Sequence, residues 1–124
     1  MTRERAEELI NTYGKAWTTR DADLILTVFT PDARYYEPHE PENAGHADIR
    51  AYWERVVVAG QTDITFNLKH LWMDGDTVIA NWEASFTDVA RSIRITLDQV
   101  AICTISGDQF SEVHEYYKST KTAV

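Results

Sequence analysis

The chain has 124 residues, enough for one domain with a single core. Hydrophobic residues make up 44% of it, and four Trp, six Tyr and four Phe supply bulky apolar surface, which excludes a disordered chain. A net charge of −8 sets it against nucleic-acid backbones and anionic membrane surfaces, and no apolar run approaches the ~20 residues of a membrane span.

Ala6, Leu9, Ile10, Tyr13, Ala16 and Trp17 recur at helical spacing and predict an amphipathic helix over 3–19. The opening "MTRERAEELI" is charged and has no apolar signal core, so a cytoplasmic protein is expected. Asp21 is placed to cap a second, short helix, "ADLILTVF", with Pro31 as its stop. A strand "ARYYEP" follows, then the polar loop "HEPENAG". Ile49, Tyr52, Trp53, Val56 and Val57 mark one face of a third helix that ends near Gly60.

Beyond Gly60 the period changes to two. Phe66, Leu68, His70 and Trp72 alternate with polar residues, and Asp74-Gly75 signals a hairpin. Val78, Ala80, Trp82, Ala84 and Phe86 make the next row, with Asn81, Glu83 and Ser85 facing outward. A third strand runs through "SIRITLDQVAICTI", turns at Ser106-Gly107-Asp108, and a fourth runs through "FSEVHEYYK". Helices first and long strands afterwards define an α+β class with helices on one face of a curved sheet. No linker or repeat divides 1–124, so one domain is expected. The lone Cys103, in "QVAICTI", has no partner for an internal disulfide, in keeping with a reducing compartment.

The candidate chemistry sits on few residues. Strand alternation puts Glu37 on the face of Ala33 and Tyr35, as the last inward side chain before Pro38 ends the strand. The other reading is a carboxylate at a solvated strand end. Tyr13 lies on the apolar stripe of its helix, where a core tyrosine with a satisfied hydroxyl is the plainer reading. If Asp98, Val100 and Ile102 share an inward face, an acid sits among branched apolar neighbours, where it would hold its proton. Gln99, Ala101, Cys103 and Ile105 would then face outward, an apolar row that calls for a partner. In "HEYYK", either His114 with Tyr116 or Glu115 with Tyr117 faces inward. His70 reads as a satisfied core residue. His39, Glu40, Glu42 and His46 match no metal spacing, and no glycine-rich phosphate loop is present. No metal or cofactor is called for.

The layout resembles the nuclear-transport-factor-2-like superfamily, which includes the SnoaL-like polyketide cyclases and the ketosteroid isomerases. "FTPDARYYEP" followed by "GHADIRAYW" carries the resemblance, which extends over almost the whole chain. It implies a cone-shaped half-barrel, with three N-terminal helices packed on a mixed, mostly antiparallel sheet. It also implies a homodimer, packed through the convex face of the sheet. By resemblance to ketosteroid isomerase, Glu37 is the base, and Tyr13 with Asp98 forms an oxyanion hole. Glu at the base departs from that enzyme's Asp and shifts the carboxylate by ~1.5 Å. Trp53 stands where those enzymes tend to carry a tyrosine. Trp17, Tyr35, Tyr52, Trp53, Val100, Glu115 and Tyr117 are the expected ligand-binding residues; the resemblance favours Glu115 and Tyr117 over His114 and Tyr116.

The function expected from this reading is cofactor-free proton transfer on a small apolar carbonyl compound, of isomerase or polyketide-cyclase type. The alternative is a domain of the same fold that binds a small hydrophobic molecule without chemistry.

Overall fold

The computed structural model describes residues 1–124. Helix α1 spans Arg3–Thr18 and is capped by Thr2, whose hydroxyl accepts from the Arg5 amide. It buries Ala6, Leu9, Ile10, Tyr13, Ala16 and Trp17, the stripe read from the sequence. Gly14 lets α1 approach the sheet closely: a Cβ there would stand 2.4 Å from Cδ1 of Phe66.

Helix α2 is Ala22–Leu26, with the Asp21 carboxylate accepting from the Asp23 and Leu24 amides at 3.0 and 2.9 Å. It ends before Pro31, which does not stop it. Strand β1 instead starts at Phe29 and runs to Tyr36, with Pro31 where its pairing register shifts. A proline is tolerated there because no ladder hydrogen bond is required of its nitrogen. Two residues, Asn43–Ala44, form β2 on the outer side of β1.

Helix α3, Gly45–Tyr52, passes without a break into a π-helical turn at Trp53–Val58, closed by the Ala59 amide on the Glu54 carbonyl. The remaining strands are β3 (Gln61–Asp74), β4 (Thr77–Asp88), β5 (Ile93–Ser106) and β6 (Gln109–Ala123). They form one six-stranded sheet in the order β2-β1-β6-β5-β4-β3. Only the β1–β6 pair is parallel, as a mixed, mostly antiparallel sheet under three helices requires.

Two faces differ from the sequence reading. On β5, Ile95, Leu97, Gln99, Ala101, Cys103 and Ile105 are buried toward the helices, whereas Asp98 and Ile102 are exposed and Val100 is half-buried. Ala101, Cys103 and Ile105 therefore belong to the core and are not an outward row. The physical reason is the period of two: the odd positions are the more apolar set, and once they turn inward every even position turns out. On β3, Phe66 and Leu68 pack against the core, but a register shift between Leu68 and His70 inverts the alternation beyond it. His70 and Trp72 are consequently exposed and stack on each other, and Leu71 is buried. His70 is not a core residue.

Candidate active site

The helices and the concave face of the sheet enclose a cavity of about 500 Å³. Its inner end is aromatic and holds one buried acid. Tyr13 comes from α1, Tyr35 from β1 and Glu115 from β6. Val113, Glu115 and Tyr117 alternate inward along β6, and Glu115 is 4% exposed.

Tyr13 donates its hydroxyl to Oε2 of Glu115 in a short hydrogen bond, and Tyr35 donates to Oε1 at 2.6 Å. Burial raises the Glu115 pKa to about 7, and the charge of Glu37 adds to the rise. Hydrogen bonds from Tyr13, Tyr35 and Gln99 oppose it by favouring the ionised form. The Tyr13 and Tyr35 hydroxyls are both pushed well above their ordinary value, by burial first and the Glu115 charge next. They are donors to the carboxylate and not proton sources near neutral pH.

Nearer the mouth, Glu37 lines the cavity just beyond β1, where Tyr117 of β6 donates to its Oε1 at 3.0 Å. Burial, and then the Glu37 charge, raises the Tyr117 pKa to about 12. His39 packs edge-on against Tyr117. Arg55 bonds Glu40 at 2.8 Å and lies over the ring of Tyr52. Arg91 and Lys121 line the opposite rim, with Arg91 bonded to Asp88 at 2.8 Å. Two indoles are fixed by amides, Trp17 on Gln61 at 2.7 Å and Trp82 on Gln99 at 2.9 Å.

The cavity thus brings together Tyr13, Glu37, Trp17, Tyr35, Tyr52, Trp53, Glu115 and Tyr117. It does not include Asp98 or Val100. Asp98 is on the outer face of the sheet, accepts from Asn81 at 3.0 Å and pairs with Lys69. The Asn81 hydrogen bond and the Lys69 charge hold its carboxyl below the usual range. No oxyanion hole can therefore form between Tyr13 and Asp98. The protonatable acid of the cavity is Glu115, one strand away. Val100 is on the same outer face, opposite Asn81 and Tyr116.

The sequence reading also missed Gln99, Gln61, Arg55, Arg91 and Lys121. A parity count on "ITLDQVAICTI" carries the signal for Gln99, the one polar residue in the odd row from Ile95 to Ile105. The rim cations give no such signal, because nothing local distinguishes them from surface charge. No three His, Cys, Asp or Glu side chains come together in a group that could hold a metal ion. No helix is long and apolar enough to cross a membrane.

The SnoaL-like domain family matches residues 10–113, and the chain belongs to that family. Among solved structures, TsrD from Streptomyces laurentii superposes with a TM-score of 0.82 at 19% identity, over 95% of this chain and 91% of that one. The epoxide hydrolase/cyclase-like enzyme SalBIII, described in pyran ring formation in the polyether salinomycin, gives 0.77 at 21% identity, over 94% and 92%. A putative SnoaL-like polyketide cyclase from Shewanella putrefaciens gives 0.77 at 16%, over 94% and 91%. At these identities the likeness is one of fold. Among curated proteins, none matches the sequence.

Proposed function

We propose that the protein is a cofactor-independent acid/base enzyme acting on a small, largely apolar carbonyl compound. The observation that supports this reading is a buried carboxyl, Glu115, with a pKa of about 7 at the end of an aromatic cavity that holds a second carboxyl, Glu37. A group that titrates near the working pH exchanges protons efficiently in either direction. Two carboxyls in unlike surroundings offer a donor and an acceptor in one site.

Glu37 takes a proton from the carbon beside the carbonyl, and the bonding pair of the broken C–H bond moves into an enolate. Glu115, protonated, gives a proton back, and both carboxyls are then restored as Glu37 releases its proton to water and Glu115 takes one up. Delivery to a different carbon yields an isomer. Attack of the enolate carbon on a second carbonyl, whose oxygen takes the proton, closes a ring. Tyr13 and Tyr35 are positioning residues, because their hydroxyls are committed to Glu115. The putative polyketide cyclase among its structural neighbours supports a ring-closing outcome.

Binding without chemistry has one observation in its favour: both inner tyrosine hydroxyls are already spent on the protein. Deuterium incorporation at the α-carbon of 2-tetralone in D₂O separates the two readings. Catalysed exchange that Glu37→Gln abolishes supports the enzyme. No acceleration by the wild type, or equal rates in Glu37→Gln, overturns it.

A further inference from the structure

Trp82 on β4, Gln99 on β5 and Glu115 on β6 are all buried on the inner face of three adjacent strands. The register makes them a row. Trp82 is directly opposite Gln99, and Ala101 is opposite Glu115, so Gln99 is the diagonal neighbour of Glu115 two residues along β5. Diagonal neighbours on one face are within reach of long side chains, and an alanine opposite Glu115 leaves room for one.

The Trp82 indole N–H donates to Oε1 of Gln99 at 2.9 Å. An indole N–H only donates, so the amide oxygen faces Trp82 and the amide NH₂ faces away from it. Gln99 favours the ionised form of Glu115, as an N–H donor does and a carbonyl oxygen does not. The titratable groups around Glu115 are Tyr13 from α1, Tyr35 and Glu37 from β1 and its end, Tyr52 from α3, Cys103 from β5 and Tyr117 from β6. None of them is a cation. The carboxylate that remains after proton delivery therefore leans on neutral donors: Tyr13, Tyr35 and Gln99.

We infer that Trp82 and Gln99 are positioning residues for Glu115: the indole N–H pins the amide oxygen, so Gln99 turns its NH₂ to the carboxyl and cannot hold the acid's proton. A primary amide is two-faced, and the face it shows decides the outcome. Were Gln99 free to flip, its oxygen would accept the O–H of protonated Glu115, favour the protonated form and keep the proton that the reaction has to deliver. With the flip blocked, the amide supports the carboxylate instead, and the acid's O–H is left for a bound molecule. The catalytic sense of this arrangement rests on the acid/base reading; the orientation of the amide and its effect on Glu115 do not.

The test is a carbon-13 NMR titration of the glutamate carboxyls in the free protein, with the Glu115 signal assigned by its absence in Glu115→Gln. One variant is Gln99→Met, which keeps the length of the side chain and removes the amide. The other replaces Trp82 by benzothienylalanine, which keeps the bicyclic shape and removes only the N–H. Each is expected to raise the Glu115 midpoint above about 7 by about one pH unit, a tenfold gain in proton affinity. The Trp82 replacement added to Gln99→Met should raise it no further, because the indole acts only through the amide. A role in packing alone would give the opposite sign, since a looser core admits water and lets the midpoint fall toward its ordinary value. An unchanged or lowered midpoint in either single variant overturns the inference, and so does a Trp82 effect that persists in Gln99→Met. The titration needs no substrate, so failure of the acid/base reading would appear separately, in the exchange assay.

Discussion

Glu115 makes a prediction about stability that needs no substrate. Its carboxyl titrates at about 7 in the folded chain, against an ordinary value of 4.5. Below the lower value it is protonated whether the chain is folded or not, and it contributes no pH dependence. Between the two, the folded state keeps a proton that the unfolded state has lost, so stability falls as pH rises. Above about 7 the full cost of burying the charge is present. At about 1.4 kcal/mol per unit of pKa difference, that cost is roughly 3 kcal/mol. Glu115→Gln removes the titration and keeps an acceptor for one of the tyrosines. Lost or altered hydrogen bonds give a constant offset, so the informative quantity is the change in the difference between variant and wild type. Urea unfolding at pH 4, 6 and 8 should show Glu115→Gln gaining about 3 kcal/mol relative to the wild type from the lowest pH to the highest, or roughly 10 °C in melting temperature. Tyr35→Phe removes a hydrogen bond that favours the carboxylate and should move the wild-type midpoint upward. Parallel profiles for wild type and Glu115→Gln would refute the argument, because they would mean that the carboxyl is solvated in the folded state.

Two further outcomes follow from the packing. Gly14→Ala should destabilise the chain by about 1–3 kcal/mol, because its Cβ would overlap the Phe66 ring; adding Phe66→Leu should recover part of the loss, as urea unfolding would show. We also propose that the chain pairs with a second copy through the outer face of the sheet, where Trp72, Ile102 and Tyr116 are 52%, 39% and 55% exposed. Light scattering at micromolar concentration should give a dimer that Ile102→Glu dissociates, and a wild-type monomer would reject the pairing.

Much of the fold was legible because it rests on short-range patterns. The α1 stripe, the Asp21 cap, the Asp74-Gly75 turn and the alternation in β4 are each specified within a few residues. The place of Tyr13 and Glu37 in one cavity followed from the family resemblance, whereas the local setting of Tyr13 pointed to a core tyrosine. What was lost is what a single residue of phase decides. In β5 the choice between Asp98 and Gln99 as the inward polar residue turns on which row joins the core, and the apolar sum of the odd row settles it. In β3 a bulge that leaves no mark in the sequence expels His70 and Trp72. The partnership of Glu115 with Tyr13 and Tyr35 joins residues 102 and 80 positions apart, and only the sheet order β1-β6-β5 under α1 brings them together. The sequence alone determined most of the elements and which side chains can titrate or donate a hydrogen bond. The tertiary structure decided which acid is buried, because desolvation depends on the surroundings in space and not on neighbours along the chain.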